Sequence, residues 1–98
     1  MRFPKAAPEA KQQRKQAGAW LQELRHRSNL SQVELAGRLG LKYYTFVSQV
    51  ENGFGRVPTE LMERWARSLG ADPCEFARTL LSFYDPILHR LLFERPKP

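Results

Sequence analysis

The stretch SQVELAGRLGLKYYTFVSQVENG, residues 31–53, carries the local signals that decide the fold. Ser31 is followed three residues later by Glu34, the spacing of a capping box, in which each side chain satisfies an unpaired backbone amide at the start of a helix. Apolar residues then follow at helical spacing: Leu35, Ala36 and Leu39. Gly40 can adopt the left-handed conformation that ends a helix, so we predict a short helix followed by a turn.

A second short helix is predicted over about residues 43–52, and its two faces differ in chemistry. At about 100° per residue, the face predicted to be buried carries Tyr43, Phe46, Val47 and Val50. The opposite face is uncharged and hydrogen-bonding; it carries Thr45, Ser48, Gln49 and Asn52, with Tyr44 at its flank. Such side chains both donate and accept hydrogen bonds, as base edges in the DNA major groove do. The alternative is a surface helix that is polar only because it faces water.

Helix signals also dominate the rest of the chain. An apolar stripe at Ala17, Trp20, Leu21 and Leu24 indicates a helix before the opening stretch. Thr59 is predicted to cap a helix that ends at Gly70. Asp72 is predicted to cap a further helix that has Pro73 as its first residue. Asp85-Pro86 repeats this cap and is expected to break the chain between two C-terminal helices. Because no alternating β-branched run occurs, we predict an all-α fold with five helices and a short sixth.

Composition limits the chemistry that the chain can perform. Ninety-eight residues with 42% hydrophobic content suit one domain with a modest core. The N-terminus is polar and no apolar run approaches ~20 residues, so we expect no signal peptide, no membrane contact and a cytoplasmic location. Cys74 is the only cysteine, and His26 and His89 lie far apart. We therefore expect no disulfide, no metal site and no cofactor.

Charge is distributed unevenly along the chain. The formal net charge is +6 and the isoelectric point is near 10.0, which favours an anionic partner. Residues 1–15 hold five basic groups and one acidic group. We expect this segment to be a flexible basic arm, either aiding binding or serving only solubility. Residues 16–71 would then form the core, and residues 72–98 a C-terminal helical segment.

Several short motifs, in order, resemble the phage-repressor and Cro-type (xenobiotic response element) helix-turn-helix family. The likeness spans about residues 17–76 and rests on LSQ at 30–32, ELA at 34–36, Gly40, Ser48 and ENG at 51–53. It implies a compact, repressor-like helix-turn-helix domain. In that arrangement the second short helix enters the major groove of double-stranded DNA, and the first lies across the backbone.

The resemblance implies roles for individual positions. Together with the polar-face pattern, it predicts base reading by Tyr44, Thr45, Ser48 and Gln49. Contacts to the DNA backbone are expected from Gln32, Lys42, Tyr43, Asn52 and Arg56. Arg25 and Glu51 match a partly buried ion pair that ties the first helix to the third.

The turn before the second short helix departs from the family pattern. Gly40 and Glu51 are eleven positions apart, one more than is usual. We therefore expect a wider turn or a helix that starts earlier. In either case Tyr43 and Tyr44 could pack against the preceding helix instead of touching DNA.

The C-terminal segment carries more apolar residues than one small core needs. Phe76, Leu80 and Tyr84 share one line on a helix and are expected to close the core. A surplus remains at Leu81, Ile87, Leu88, Leu91 and Leu92. This surplus either packs around the bend at Pro86 or forms an exposed patch, and large apolar patches mark interfaces. We predict that it forms a homodimer interface.

These features favour a sequence-specific, DNA-binding transcriptional regulator. We expect a bacterial or phage-encoded repressor or autoregulator that binds a palindromic operator as a homodimer. The alternative is an antitoxin-like interaction module whose C-terminal helices bind another protein, with the helix-turn-helix as scaffold. We do not expect an enzyme, because no nucleophile–base pair, phosphate-binding loop or carboxylate pair occurs. No sensor domain fits in the remaining residues, so no small-molecule effector is expected.

Overall fold

Six α-helices make up the computed structural model, which describes residues 8–94. They are α1 (Pro8–Arg27), α2 (Gln32–Arg38), α3 (Thr45–Glu51), α4 (Thr59–Ser68), α5 (Pro73–Tyr84) and α6 (Pro86–Phe93). No strand occurs within residues 8–94. The predicted all-α fold of five helices and a short sixth is confirmed.

The helix starts are set by side-chain caps at two places. The Ser31 hydroxyl accepts a hydrogen bond from the Glu34 amide at 3.0 Å, and Glu34 Oε1 accepts one from the Ser31 amide at 3.0 Å. Before α5, Asp72 Oδ2 accepts a bond from the Glu75 amide at 2.9 Å. Both predicted caps therefore form, and they define where α2 and α5 begin.

Two other predicted caps are wrong. Thr59 is the first residue of α4, and Pro58 occupies the capping position without a side-chain bond. Pro58 is extended, with φ −63° and ψ 144°, and the helix starts one residue earlier than predicted. Asp85 does separate α5 from α6, but its side chain makes no capping bond to α6.

The core lies where α1, α2, α3, α4 and α5 meet. Its fully buried side chains include Leu21, Leu35, Leu39, Val47, Val50, Trp65, Phe76 and Leu80. Gly18 lets α1 approach α3, because a Cβ at this position would collide with the backbone carbonyl of Glu51. α2 packs on α3 and α4, so both short helices of the motif rest on the same core.

The turn between α2 and α3 is wide. Gly40 has φ +73°, and α3 begins only at Thr45, later than predicted. Tyr43 consequently lies in the turn and is 66% exposed. The prediction that Tyr43 belongs to the buried face is wrong, because the additional residue lengthens the turn rather than the helix.

α1 starts well before the predicted stripe at Ala17. It begins at Pro8, so residues 8–15, assigned from the sequence to a flexible arm, are helical. Lys15 lies close against Gly53 at the end of α3. The rest of the predicted arm, residues 1–7, lies outside the described residues.

Candidate nucleic-acid interface

The polar face of α3 consists of Thr45, Ser48, Gln49 and Asn52. Thr45, Gln49 and Asn52 are exposed and Ser48 is half-buried, while Val47 and Val50 on the opposite side are buried. Asn52 Nδ2 lies 3.3 Å from Ser48 Oγ, within hydrogen-bonding distance. The face thus presents two hydroxyls and two amides, which can each donate and accept hydrogen bonds.

Aromatic and basic side chains lie at the entrance to α3. Tyr43 and Tyr44 are both exposed, and Lys42 Nζ lies 5.5 Å from the centre of the Tyr43 ring. A shallow depression of about 360 Å³ is lined by Lys42, Tyr43, Thr45 and Gln49, together with apolar side chains. Four of the predicted site residues therefore share one surface.

A buried ion pair holds α3 against α1. Arg25 Nε donates to Glu51 Oε2 at 2.7 Å, and Arg25 Nη2 donates to Glu51 Oε1 at 3.0 Å. A third guanidinium nitrogen, Nη1, donates to the Leu30 carbonyl at 2.8 Å. Both charged residues are only 6% exposed. This bidentate geometry fixes the C-terminal end of α3 relative to α1.

Gln32 connects α2 to the same ion pair. Its Nε2 donates to Glu51 Oε1 at 3.0 Å, and the side chain is half-buried. An amide nitrogen carries two hydrogens, so one remains for another acceptor. A ligand bound by that hydrogen would be linked through Glu51 to both α1 and α3.

Arg56 follows α3 but is directed toward the bend between α5 and α6. Its Nη2 lies 3.2 Å from Asp85 Oδ2, and its guanidinium carbon lies 4.5 Å from the centre of the Tyr84 ring. The Tyr84 hydroxyl accepts a hydrogen bond from the Val57 amide at 3.1 Å. Burial raises the pKa of Tyr84, opposed by this hydrogen bond and by the charges of Arg56 and Arg14. Arg56 thus connects the loop after α3, to which it belongs, with the C-terminal helices.

Sequence reasoning missed Phe54 as a candidate contact residue. Phe54 directly follows the turn that ends α3, is 80% exposed, and its amide donates to the Gln49 carbonyl at 2.9 Å. The available signal was its position between Gly53 and Gly55, in a loop where no helix face could bury it.

The predicted dimer residues separate into two groups. Ile87, Leu88, Leu91 and Leu92 form an exposed stripe, hereafter the apolar face of α6, with Ile87 at 66% and Leu91 at 69% exposed. Leu81 differs, because it is half-buried on α5 and lines a cavity. Within the described residues, α6 packs mainly against α5.

No group of three or more histidine, cysteine, aspartate or glutamate side chains within residues 8–94 could hold a metal ion. No helix in that part of the chain is both long and apolar enough to cross a membrane.

Residues 16–79 match the profile of the helix-turn-helix domain. The chain belongs to the helix-turn-helix domain family. The match contains α2, α3 and α4 and ends before α6 begins. No curated protein matches the chain significantly. Membership supports a DNA-binding regulator in general, in a family that is typically non-enzymatic.

Proposed function

We propose that this protein is a sequence-specific, double-stranded DNA-binding regulator that acts as a transcriptional repressor or autoregulator. The observation that carries the proposal is the polar face of α3, held on α1 by the buried Arg25–Glu51 pair within the family match. A rigid helix with mixed donors and acceptors suits the reading of base edges in the major groove. The protein would act in the cytoplasm of a bacterium, encoded by the bacterium or by a phage.

Two groups of residues would contact DNA. Base edges would be read by Tyr44, Thr45, Ser48 and Gln49, and Gln49 can hydrogen-bond to adenine with both amide atoms. The backbone would be contacted by Gln32, Lys42, Tyr43, Asn52 and Arg56. Contacts of this second kind position the protein but carry no sequence information directly.

A homodimer would extend the site. One helix-turn-helix unit contacts only a few base pairs, and a two-fold dimer reads half-sites separated by about 34 Å, one turn of DNA. The apolar face of α6 lies beyond the family match and supports an interface there. The operator would then be palindromic, and a bound dimer would repress by blocking a promoter.

Selection from a random pool of duplex DNA, followed by sequencing, tests the proposal. We expect an enriched motif with two inverted half-sites, and loss of preference at one position per half-site with Gln49→Ala. Gln22→Ala, which removes an exposed amide from α1, is the matched control. A pool without enrichment would contradict sequence-specific binding. An enriched motif without inverted symmetry would contradict binding to a palindromic operator as a dimer.

The exposed apolar face of α6 also favours a second function, that of an interaction module. The C-terminal helices would then bind another protein, and the helix-turn-helix would serve as scaffold. Gel shift against genomic fragments, with and without nonspecific competitor DNA, distinguishes the two. A complex that survives competitor supports the regulator, whereas loss of every complex favours the interaction module.

A further inference from the structure

A cavity of about 470 Å³ lies between α4, α5 and α6, away from the polar face of α3. Its volume is in the range of small-molecule binding sites in proteins. Nothing in the proposed DNA contacts uses it, apart from Arg56 on its wall. The cavity is therefore a second candidate site, separate from the polar face of α3.

The walls of this cavity are mainly apolar. Met62 from α4, Leu81 from α5 and Phe93 from α6 contribute to them. Such a lining favours an apolar ligand body, because burying hydrocarbon against hydrocarbon removes both surfaces from water.

The charged groups of the cavity carry an excess of positive charge. Arg56 and Arg78 line it together with one carboxylate, Asp85. Arg56 is already paired with Asp85, whereas no described residue forms a salt bridge with Arg78. One cationic group thus remains uncompensated within the described part of the chain, which favours an anionic ligand.

Both arginines are stacked on aromatic rings. The guanidinium carbon of Arg78 lies 4.4 Å from the centre of the Phe93 ring, and that of Arg56 lies 4.5 Å from the centre of the Tyr84 ring. Stacking uses the flat face of a guanidinium and leaves its in-plane N–H groups for hydrogen bonds. These N–H groups match the two oxygens of a carboxylate in a bidentate pair.

We infer that this cavity binds a small amphipathic carboxylate, such as a short aliphatic or arylalkyl acid. Its carboxylate pairs with Arg78 and approaches Arg56, and its apolar body lies against Met62, Leu81 and Phe93. Inorganic phosphate leaves the apolar walls unused, a neutral hydrocarbon leaves Arg78 without a partner, and a cation is repelled.

Binding in the cavity has a consequence for DNA, and this part rests on the proposed function. A carboxylate near Arg56 competes with a DNA phosphate for the same guanidinium. Ligand binding therefore weakens DNA binding, and by linkage DNA weakens ligand binding to the same degree. A carboxylate that acts on DNA binding would be a small-molecule effector, which the sequence did not lead us to expect.

The test uses the full chain and needs no DNA. Cys74 is the only cysteine, is exposed and lines the cavity, so its alkylation rate by a maleimide reports occupancy. The probes are octanoate and 4-phenylbutyrate at constant ionic strength, with 1-octanol as the uncharged control. We expect octanoate to slow alkylation several-fold with a Kd on the order of 0.1–1 mM, and 1-octanol to bind about tenfold more weakly. Equal protection by octanoate and 1-octanol, or protection by none, would overturn the inference.

Two variants locate the carboxylate. Arg78→Gln removes the uncompensated charge at an exposed position and is expected to weaken octanoate about tenfold, measured by calorimetry. Arg67→Gln removes an exposed arginine of α4 outside the cavity and should leave the Kd unchanged. An unchanged Kd in Arg78→Gln would overturn the assigned contact. Octanoate that binds but leaves the gel shift unaltered would overturn the coupling to DNA, whereas absence of any gel shift would contradict the proposed function alone.

Discussion

The polar face of α3 and the apolar face of α6 are both exposed, but they are supported differently. α3 packs on α1 and α2 and is held by a bidentate ion pair, whereas α6 packs mainly on α5. The first face presents hydroxyls and amides among aromatic rings, and the second presents aliphatic side chains. Exposure alone therefore does not identify a partner. A fixed polar face suits a polar ligand, and an aliphatic face gains free energy when a second apolar surface covers it.

The helices behind these two faces, α2 and α6, also differ in how their first turns are capped. α2, which supports α3, begins with a complete capping box. α6 begins at Pro86, directly after Asp85, whose carboxylate pairs with Arg56 and makes no capping bond to the helix. The Arg56–Asp85 pair thus links the start of α6 to the loop after α3. The polar face of α3 and the apolar face of α6 therefore differ in chemistry but belong to connected segments.

The largest expected effect comes from placing charge on the apolar face of α6. The double variant Leu88→Glu/Leu91→Glu removes four leucines from a two-fold interface, at about 1.5 kcal/mol or more each, so association should weaken by about 6 kcal/mol. We expect light scattering at micromolar concentration to give a dimer mass for the wild type and a monomer mass for the variant. Val33→Glu, at an exposed apolar position on α2, should leave the dimer intact. A monomer mass for the wild type would contradict the proposed homodimer.

The second prediction concerns the support of α3. Glu51→Ala leaves Arg25 buried without its partner, so the free energy of unfolding should fall by about 3–5 kcal/mol. Urea denaturation measures this change. Glu63→Ala breaks the exposed pair with Arg67 and should change stability by about 0.5 kcal/mol or less. Equal effects of the two substitutions would show that the Arg25–Glu51 pair does not hold α3.

The third prediction concerns base reading by the polar face. Gln49→Ala should cost about 1–3 kcal/mol on the preferred site and relax the preference at one base position. Its melting temperature should hardly move, because the side chain is exposed. Quantitative gel shift on the selected site and its single-base variants measures the affinity loss and the base preference. Unaltered discrimination would remove Gln49 from the reading residues.

The fourth prediction tests whether Arg56 serves DNA as well as Asp85. Arg56→Ala should weaken specific and nonspecific DNA alike and reduce the log–log salt slope by roughly one unit. Asp85→Asn should instead strengthen DNA binding at low salt, because it releases Arg56 from its ion pair and removes a negative charge. Affinities measured from low to moderate salt give both slopes. A loss confined to one base pair would contradict a backbone role.

The fold was predictable where local chemistry sets it. Ser31 with Glu34, and Asp72 with Pro73, define helix starts from neighbouring residues alone, and both caps form. Tyr43 was misplaced because turn length depends on how α2 and α3 pack, which a helical period does not contain. Residues before Ala17 have little apolar patterning, so the start of α1 at Pro8 was not found.

The site was only partly accessible from sequence. The polar face of α3 follows from its spacing, and the pairing of Arg25 with Glu51 was implied by the family resemblance. The contact of Arg56 with Asp85 joins residues 29 positions apart, and no local pattern relates them. The cavity was missed for the same reason, because α4, α5 and α6 enclose it only after packing.

The smallest expected effect concerns the capping box that supports α2 beneath α3. Hydrogen bonds from the Ser31 backbone amide and then from its side chain lower the pKa of Glu34 below its ordinary value. The ionised carboxylate therefore stabilises the fold above the ordinary pKa of an unfolded glutamate, and this contribution is lost as pH falls through the lower folded pKa. Glu34→Gln keeps an acceptor at the same position but does not titrate. We expect the wild type to melt slightly higher at neutral pH and this advantage to disappear at acidic pH, since the two proteins differ only in this one side chain. Thermal melts of the pair across this range measure the difference, and a difference independent of pH would contradict a charged cap on α2.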